Sequence, residues 1–268
     1  MYKQTIAVAI AIVLTQSPLA AQDHDHIKLH VNPRWKECSF QLDASLTQAA
    51  WHQFTQEAGL VAYFRPLTEA RPMGRGNFEL SMLQWQTNID DDTHAWNDTF
   101  VHPDSTHWLK EGKGLKFPGL TARVGVTSKT DLGVYFTKNP NANYGFYGAQ
   151  LQQNLFEDAS GKWSASARGS FMKLYGPEDL DFTTYGADLL VSRRIALSKW
   201  IKLSPYAGVS SYLTTSHEKS AVVNLADEHV LGGQAMLGAE LQLSKARLAA
   251  EYNVSRVSSF SLKVGIAR

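Results

Sequence analysis

The 268-residue chain carries 26 Lys and Arg against 25 Asp and Glu, 44% hydrophobic residues, 19% charged residues and a single cysteine. This composition excludes a disordered chain and a disulfide scaffold, and the near-zero charge offers no footprint for nucleic acid. The longest apolar run, Ile6 to Leu14, falls well short of the roughly 18 to 20 residues of a spanning helix, which excludes a helical membrane protein.

Lys3 supplies a short positive region, Ile6 to Leu14 an apolar one, and Ser17-Pro18-Leu19-Ala20-Ala21 a small-residue exit. Together they read as a cleavable export signal over residues 1–21, cut after Ala21. No cysteine stands at the junction, so a lipoprotein anchor is not expected. Cleavage removes Lys3 and no acid, leaving 25 basic and 25 acidic residues. Cys38 has no second cysteine in the chain with which to pair.

Residues 22–75 are expected to form an N-terminal periplasmic segment. Its first part carries His24, His26 and His30 beside Asp23 and Asp25, types that ligate divalent metals but read here as a solvated tail. Arg34 to Leu42 suits a short strand. Ser45 followed by Gln48 is a capping-box pattern, and Leu46, Ala49, Ala50 and Phe54 recur on one face before Gly59. A short amphipathic helix is therefore expected over 45–58. Because it precedes the first strand, it is expected to pack beneath the barrel on the periplasmic side rather than to plug it. Ala62 to Leu67 is a candidate additional strand.

From Asn77 onward the period becomes two. Phe78, Leu80 and Met82 alternate with Glu79 and Ser81; Ala122, Val124 and Val126 with Arg123 and Gly125; Leu132, Val134 and Phe136 with Gly133 and Tyr135. The same alternation returns in Trp163 to Phe171, Tyr185 to Val191, Leu203 to Val209, Leu237 to Leu243, Leu248 to Val254 and Phe260 to Ile266. Segments of about nine to twelve residues suit tilted membrane crossings better than soluble strands. Longer connections, at Asn88 to Lys116, Lys138 to Asn143, Gly176 to Asp181 and Thr214 to Glu228, with a brief turn at Arg256, lie on one side. Thr127 to Thr130, Glu157 to Gly161, Ala196 to Lys199 and Ser244 to Lys245 make short turns on the other. This is the layout of an all-β chain, an antiparallel transmembrane β-barrel over residues 76–268. About ten strands are expected, within a range of eight to twelve, with both barrel ends on the short-turn side. Lipid cannot satisfy an open sheet edge, so such a sheet closes on itself. Trp85, Phe117, Tyr144, Phe156, Trp163, Tyr175, Trp200 and Tyr212 fall near strand ends and read as interfacial belts.

The inward positions hold Arg123, Arg168, Asp188, Glu240, Glu251 and Lys263, three bases and three acids expected to form a polar lumen network. Charged rings also set selectivity in pores. A channel for small or hydrophobic solutes is thus the alternative reading, although about ten strands leave too little room for a wide porin. The first long connection contains Asp90-Asp91-Asp92 without EF-hand spacing, and it is rich in His and Trp. Asp91, His94, Trp96 and Trp108 are its candidates for contact with an external ligand or surface. Ser216-His217-Glu218 has the residue types of a lipid-modifying barrel enzyme, a second alternative. Consecutive residues of a strand face opposite ways, so no catalytic relay is expected there, and the chain is not expected to be an enzyme. Gly74-Arg75-Gly76 and Gly112-Lys113-Gly114 lack phosphate-loop spacing, and no cofactor is expected.

Leu46-Thr47-Gln48, Phe54 to Gly59, Ala62-Tyr63-Phe64-Arg65-Pro66-Leu67, Leu180 to Leu189, Pro205-Tyr206-Ala207-Gly208-Val209 and Phe260-Ser261-Leu262-Lys263-Val264-Gly265 together resemble an uncharacterised family of proteobacterial outer-membrane β-barrel proteins. The resemblance runs from about Leu46 to the end. It implies the fold and the outer membrane of a Gram-negative cell but no chemistry, because its motifs are structural. The chain departs from the usual aromatic finish by ending Val264-Gly265-Ile266-Ala267-Arg268, which implies a weakened assembly signal. The expected partners are outer-membrane lipid, the barrel-assembly machinery and an unidentified extracellular or periplasmic molecule, and the expected role is structural or interaction-bearing.

Overall fold

A computed structural model describes residues 34–65, 67–101 and 115–268, with side chains of 115–118 set aside. The export signal, His24, His26, His30 and Trp108 lie outside the described residues. In chain order the elements are β1 (Ser39–Phe40), α1 (Gln48–Val61), β2 (Phe78–Thr87), α2 (His94–Asn97), β3 (Phe100–Val101), β4 (Leu115–Gly125), β5 (Thr130–Lys138), β6 (Gly145–Glu157), β7 (Trp163–Tyr175) and β8 (Leu180–Arg193). They continue as β9 (Ile195–Ala196), β10 (Ile201–Glu218), β11 (Glu228–Leu243), β12 (Ala246–Val254) and β13 (Ser259–Ala267).

Alternating apolar and polar residues give each strand one face that water will not accept, and the strands meet that demand by closing on themselves. The barrel strands β2, β4 to β8 and β10 to β13 pair antiparallel in that order as a meander, and β13 returns to β2 in the register Val264 with Met82. The sheet counts eleven strands, of which the two-residue β9 is only a flap on β10, so the closed ring holds ten. Phe78 and Arg268 exchange backbone hydrogen bonds at the short-turn end, where the barrel begins and finishes.

The outer surface carries the predicted apolar set: Leu80, Met82, Val134, Leu189, Val209, Leu237, Leu262 and Val264 are all exposed. A register shift between Asn154 and Phe156 lets Leu155 and Phe156 both face outward, as a bulge does. So large an apolar surface on a closed sheet needs lipid as its solvent. Leu237, 67% exposed near the middle of β11, supplies a test. Leu237→Arg is expected to lower the stability of the liposome-folded barrel by about 2–4 kcal/mol in urea unfolding. A change inside measurement error would contradict lipid contact there.

Four expectations are corrected. The helix begins at Gln48, not Ser45, because Thr47 accepts from the Ala50 N–H as the cap while Ser45 turns to Asp43. It also runs past Gly59 to Val61. That glycine is a point of close approach, since a Cβ there would lie 2.0 Å from Thr214 Oγ1. Residues 63–65 and 67 form no strand. Trp85, Tyr144 and Tyr212 are buried rather than belted, whereas Phe156, Trp163 and Trp200 do face outward.

The fourth correction is the largest. The helix does not pack beneath the barrel at the short-turn end. It sits in the opposite mouth, among the long connections, with Thr55 Oγ1 2.6 Å from Ser216 Oγ and Gln48 bonded to Glu228. The side chains of Ala50, Trp51, Phe54, Thr55, Glu57 and Ala58 to Val61 are all buried, the pattern of a helix surrounded by protein rather than resting on one face.

Candidate functional site

The mouth at the long-loop end is closed by an aromatic cap. β1 pairs with β3, and Phe40 packs 4.3 Å from Phe100 in a tilted contact and 5.0 Å from Tyr144 edge to face, ring centre to ring centre. Phe54 packs on Trp51, Trp96 and Phe182. The Trp96 indole N–H donates to Glu57 Oε2 at 2.7 Å, which holds the first long connection down on α1. Asn143 binds both backbone groups of Phe40, and Asp179 accepts from the Leu42 N–H. Burial holds the Tyr144 phenol protonated well above its ordinary range.

From Val61 the chain leaves the helix and descends through the lumen, making side-chain bonds to the wall at successive levels. Trp85 donates to Val61 O at 2.7 Å. Arg65, wholly buried, returns to Leu60 O at 2.8 Å and to Tyr63 O, and reaches Ser259 and Asn253 on the wall. It thereby adds a charged donor to a carbonyl of the last turn of α1. Its guanidinium also lies over Trp85, 5.1 Å from the ring centre. The Tyr63 hydroxyl donates to Asp188 at 2.6 Å, and Arg168 donates to Phe64 O at 2.6 Å.

Lower down, Arg123 donates to Thr68 Oγ1, Ser192 accepts from the Ala70 N–H, and Arg194 pairs with Glu69. Arg71 pairs with Glu157, and Asp131 accepts from the Met73 N–H. At Gly76 the chain bonds to Gly125 O and turns into β2. The N-terminal segment thus enters at one mouth and leaves at the other.

All six inward charges named from the sequence are buried on the lumen side. Arg168 and Asp188 face each other across β7 and β8, at 2.6 Å from Nε to Oδ2, and Asp188 also accepts from Ser210 at 2.5 Å. The other four do not form two further close pairs. Lys263 bonds to Glu79 at 2.6 Å and stands 3.9 Å from Glu240; Arg123 pairs with Asp131; Glu251 accepts from Tyr206 and Asn253. The partners missed by sequence reasoning are Glu79, Asp131, Tyr63, Arg65 and Glu69. Glu79 lies on the polar face of β2 with Ser81 and was open to the inward reading given to the six charges. Arg65 and Glu69 belong to a stretch without any period.

The loop candidates divide. Trp96 and Asp91 are buried and present nothing outward, because the cap needs Trp96 in its core. The His94 ring stays exposed, its Nδ1 2.7 Å from Asp98 Oδ2. Among the described residues, no group of three or more His, Cys, Asp and Glu is placed to hold a metal. Ser216 faces inward on Thr55, whereas His217 faces outward on Asp227 at 2.6 Å. These two are therefore not brought together.

Two cavities flank the filled middle and share no lining residue. One of about 390 Å³ lies at the long-loop mouth between Arg34, Trp35, Lys138 and Asp179. The other, about 300 Å³, opens at the short-turn mouth among Arg71, Arg123, Lys202, Glu240 and Arg247.

No family model and no curated protein matches the chain. Among solved structures it is similar to an outer membrane channel from Pseudomonas putida F1, at 12% identity over 77% of this chain and 100% of that one, with a TM-score of 0.43. It is also similar to the beta domain of a Bordetella autotransporter, at 15% identity over 72% of this chain and 100% of that one, with a TM-score of 0.38. A third likeness is to the attachment invasion locus protein of Yersinia pestis, at 14% identity, 72% and 99% coverage and a TM-score of 0.29. None of these likenesses lends the chain an activity.

Proposed function

We propose that this chain is an outer-membrane β-barrel protein whose lumen is sealed by its own N-terminal segment and whose role is structural or interaction-bearing. The observation that carries the reading is the passage of residues 61–65 and 67–76 through the barrel, bonded to wall residues from Trp85 to Asp131. A solute path would need water where Tyr63, Phe64, Arg65 and Leu67 are instead packed to near-zero exposure. The outer-membrane location is supported by the export-signal pattern and by the apolar belt of a closed barrel. The partner-facing surface in this reading is the long-loop mouth, where the cap fixes the loops around the 390 Å³ cavity.

Planar bilayers test the sealed lumen. The full mature chain is expected to insert without stepwise current, while heat-modifiable gel migration verifies that it is folded. Regular current steps from the folded, full-length protein would favour the channel reading instead.

A further inference from the structure

The cavity at the short-turn mouth is built from charge that the fold does not use up. Three of its cations have close carboxylate partners: Arg71 with Glu157, Arg194 with Glu69, and Arg123 with Asp131. Lys263 nearby is claimed by Glu79 at 2.6 Å. Arg247 comes no nearer than 3.8 Å to Glu240, and that carboxylate stands 3.9 Å from Lys263, so it is shared loosely and bonded to neither. Among the described residues Lys202 has no ion-pair partner. Lys202, Gln242 and Arg247 are register partners across β10, β11 and β12, which lines both under-compensated cations along one row of the wall.

The unmet hydrogen bonds agree with the charge. Arg71 Nε, Arg123 Nε and Arg247 Nη1 have no acceptor and are buried behind the cavity surface that their residues line. Arg123 is only 6% exposed. Buried donors without acceptors cost stability, and cationic donors most of all. One orphaned acceptor, Glu240 Oε2, lies among them, which suits a ligand that carries a proton or a hydroxyl beside its negative charge.

We propose that this cavity binds a phosphate group, free or on a small phosphorylated solute, through Lys202 and Arg247 of the wall. Guanidinium groups and a lysine converging on one small volume are the ordinary means of holding an oxyanion. A protonated phosphate oxygen would donate to Glu240. The cavity, at about 300 Å³, has space for more than the bare ion. Because Arg71 arrives on the N-terminal segment, the site rests on the sealed-lumen reading. Bilayer current tests that reading, and heat of binding tests this one.

The test is calorimetric titration of the detergent-folded mature chain with inorganic phosphate and, separately, with glycerol 3-phosphate. Saturable binding of one ligand per chain is expected, and the tighter of the two identifies the source. Lys202→Gln and Arg247→Gln are each expected to weaken binding about tenfold or more. Lys199→Gln, whose ammonium lies by Trp200 on the outer surface, is expected to change nothing. If Arg247→Gln loses its heat-modifiable band, Lys202→Gln decides alone, since among the described residues Lys202 supports no ion pair. No saturable heat with either ligand, or unchanged affinity in a folded Lys202→Gln chain, would overturn the proposal.

Discussion

A chain that starts at Gly74 behind an export signal is expected to conduct in planar bilayers where the full mature chain is silent. The truncation removes α1 and the stretch that crosses the lumen, and leaves a wall lined by Ser164, Ser166, Ser192, Ser204, Ser210, Thr214, Ser216, Ser259 and Ser261, all now buried. These side chains are too small to meet across a ten-stranded ring, and their hydroxyls are as well served by water as by the segment they lose. Folding is therefore expected to survive, read as heat-modifiable migration, while each inserted barrel adds a discrete current step. The double substitution Tyr63→Ala with Arg65→Ala offers a gentler route, since it empties the middle level without shortening the chain. Silence from both variants in their folded form would mean that the wall itself closes the lumen.

Asp188→Ala is expected to be the most damaging single substitution in the wall. Asp188 is 3% exposed and takes hydrogen bonds from Arg168, Tyr63 and Ser210. Its loss leaves the Arg168 guanidinium buried without its carboxylate, which costs about 3–5 kcal/mol. It also detaches Tyr63, so the lumen segment loosens with the wall. Urea unfolding of the folded barrel measures the effect. Asp181→Ala is the control: its 3.1 Å pair with Lys219 is half exposed, and its removal is expected to cost about 1 kcal/mol or less. Equal effects of the two substitutions would contradict a tightly packed lumen.

Much of the fold was legible because lipid imposes a rule on every second residue. Phe78, Leu80 and Met82 face out for the same reason that Glu79 and Ser81 face in, and the rule runs along the barrel strands with a break at the β6 bulge. Parity also placed the six inward charges. It would have placed Trp85 inward too, but position near a strand end was read as an interfacial belt. The lumen segment escaped because a chain crossing a barrel keeps no face constant. It is held by carbonyls, as at Val61 and Phe64, and by single side chains such as Arg65 and Glu69. The one sequence signal that pointed to it was indirect. Inward serines and threonines such as Ser164, Ser166, Ser192 and Ser210 leave space between the larger inward side chains, and the lumen segment fills it.

The route of the N-terminal segment is tested most directly by a Thr55→Cys, Ser216→Cys pair, made with Cys38→Ser so that no third thiol competes. The two hydroxyl oxygens lie 2.6 Å apart, which brings cysteine sulfurs at these positions within reach of each other. The folded barrel is expected to form this disulfide on mild oxidation, seen as a reductant-sensitive shift in gel mobility. A helix packed beneath the short-turn end would lie roughly 50 Å from Ser216 along β10, and two thiols that stay free in the folded protein would show that the segment does not enter the lumen from the long-loop mouth.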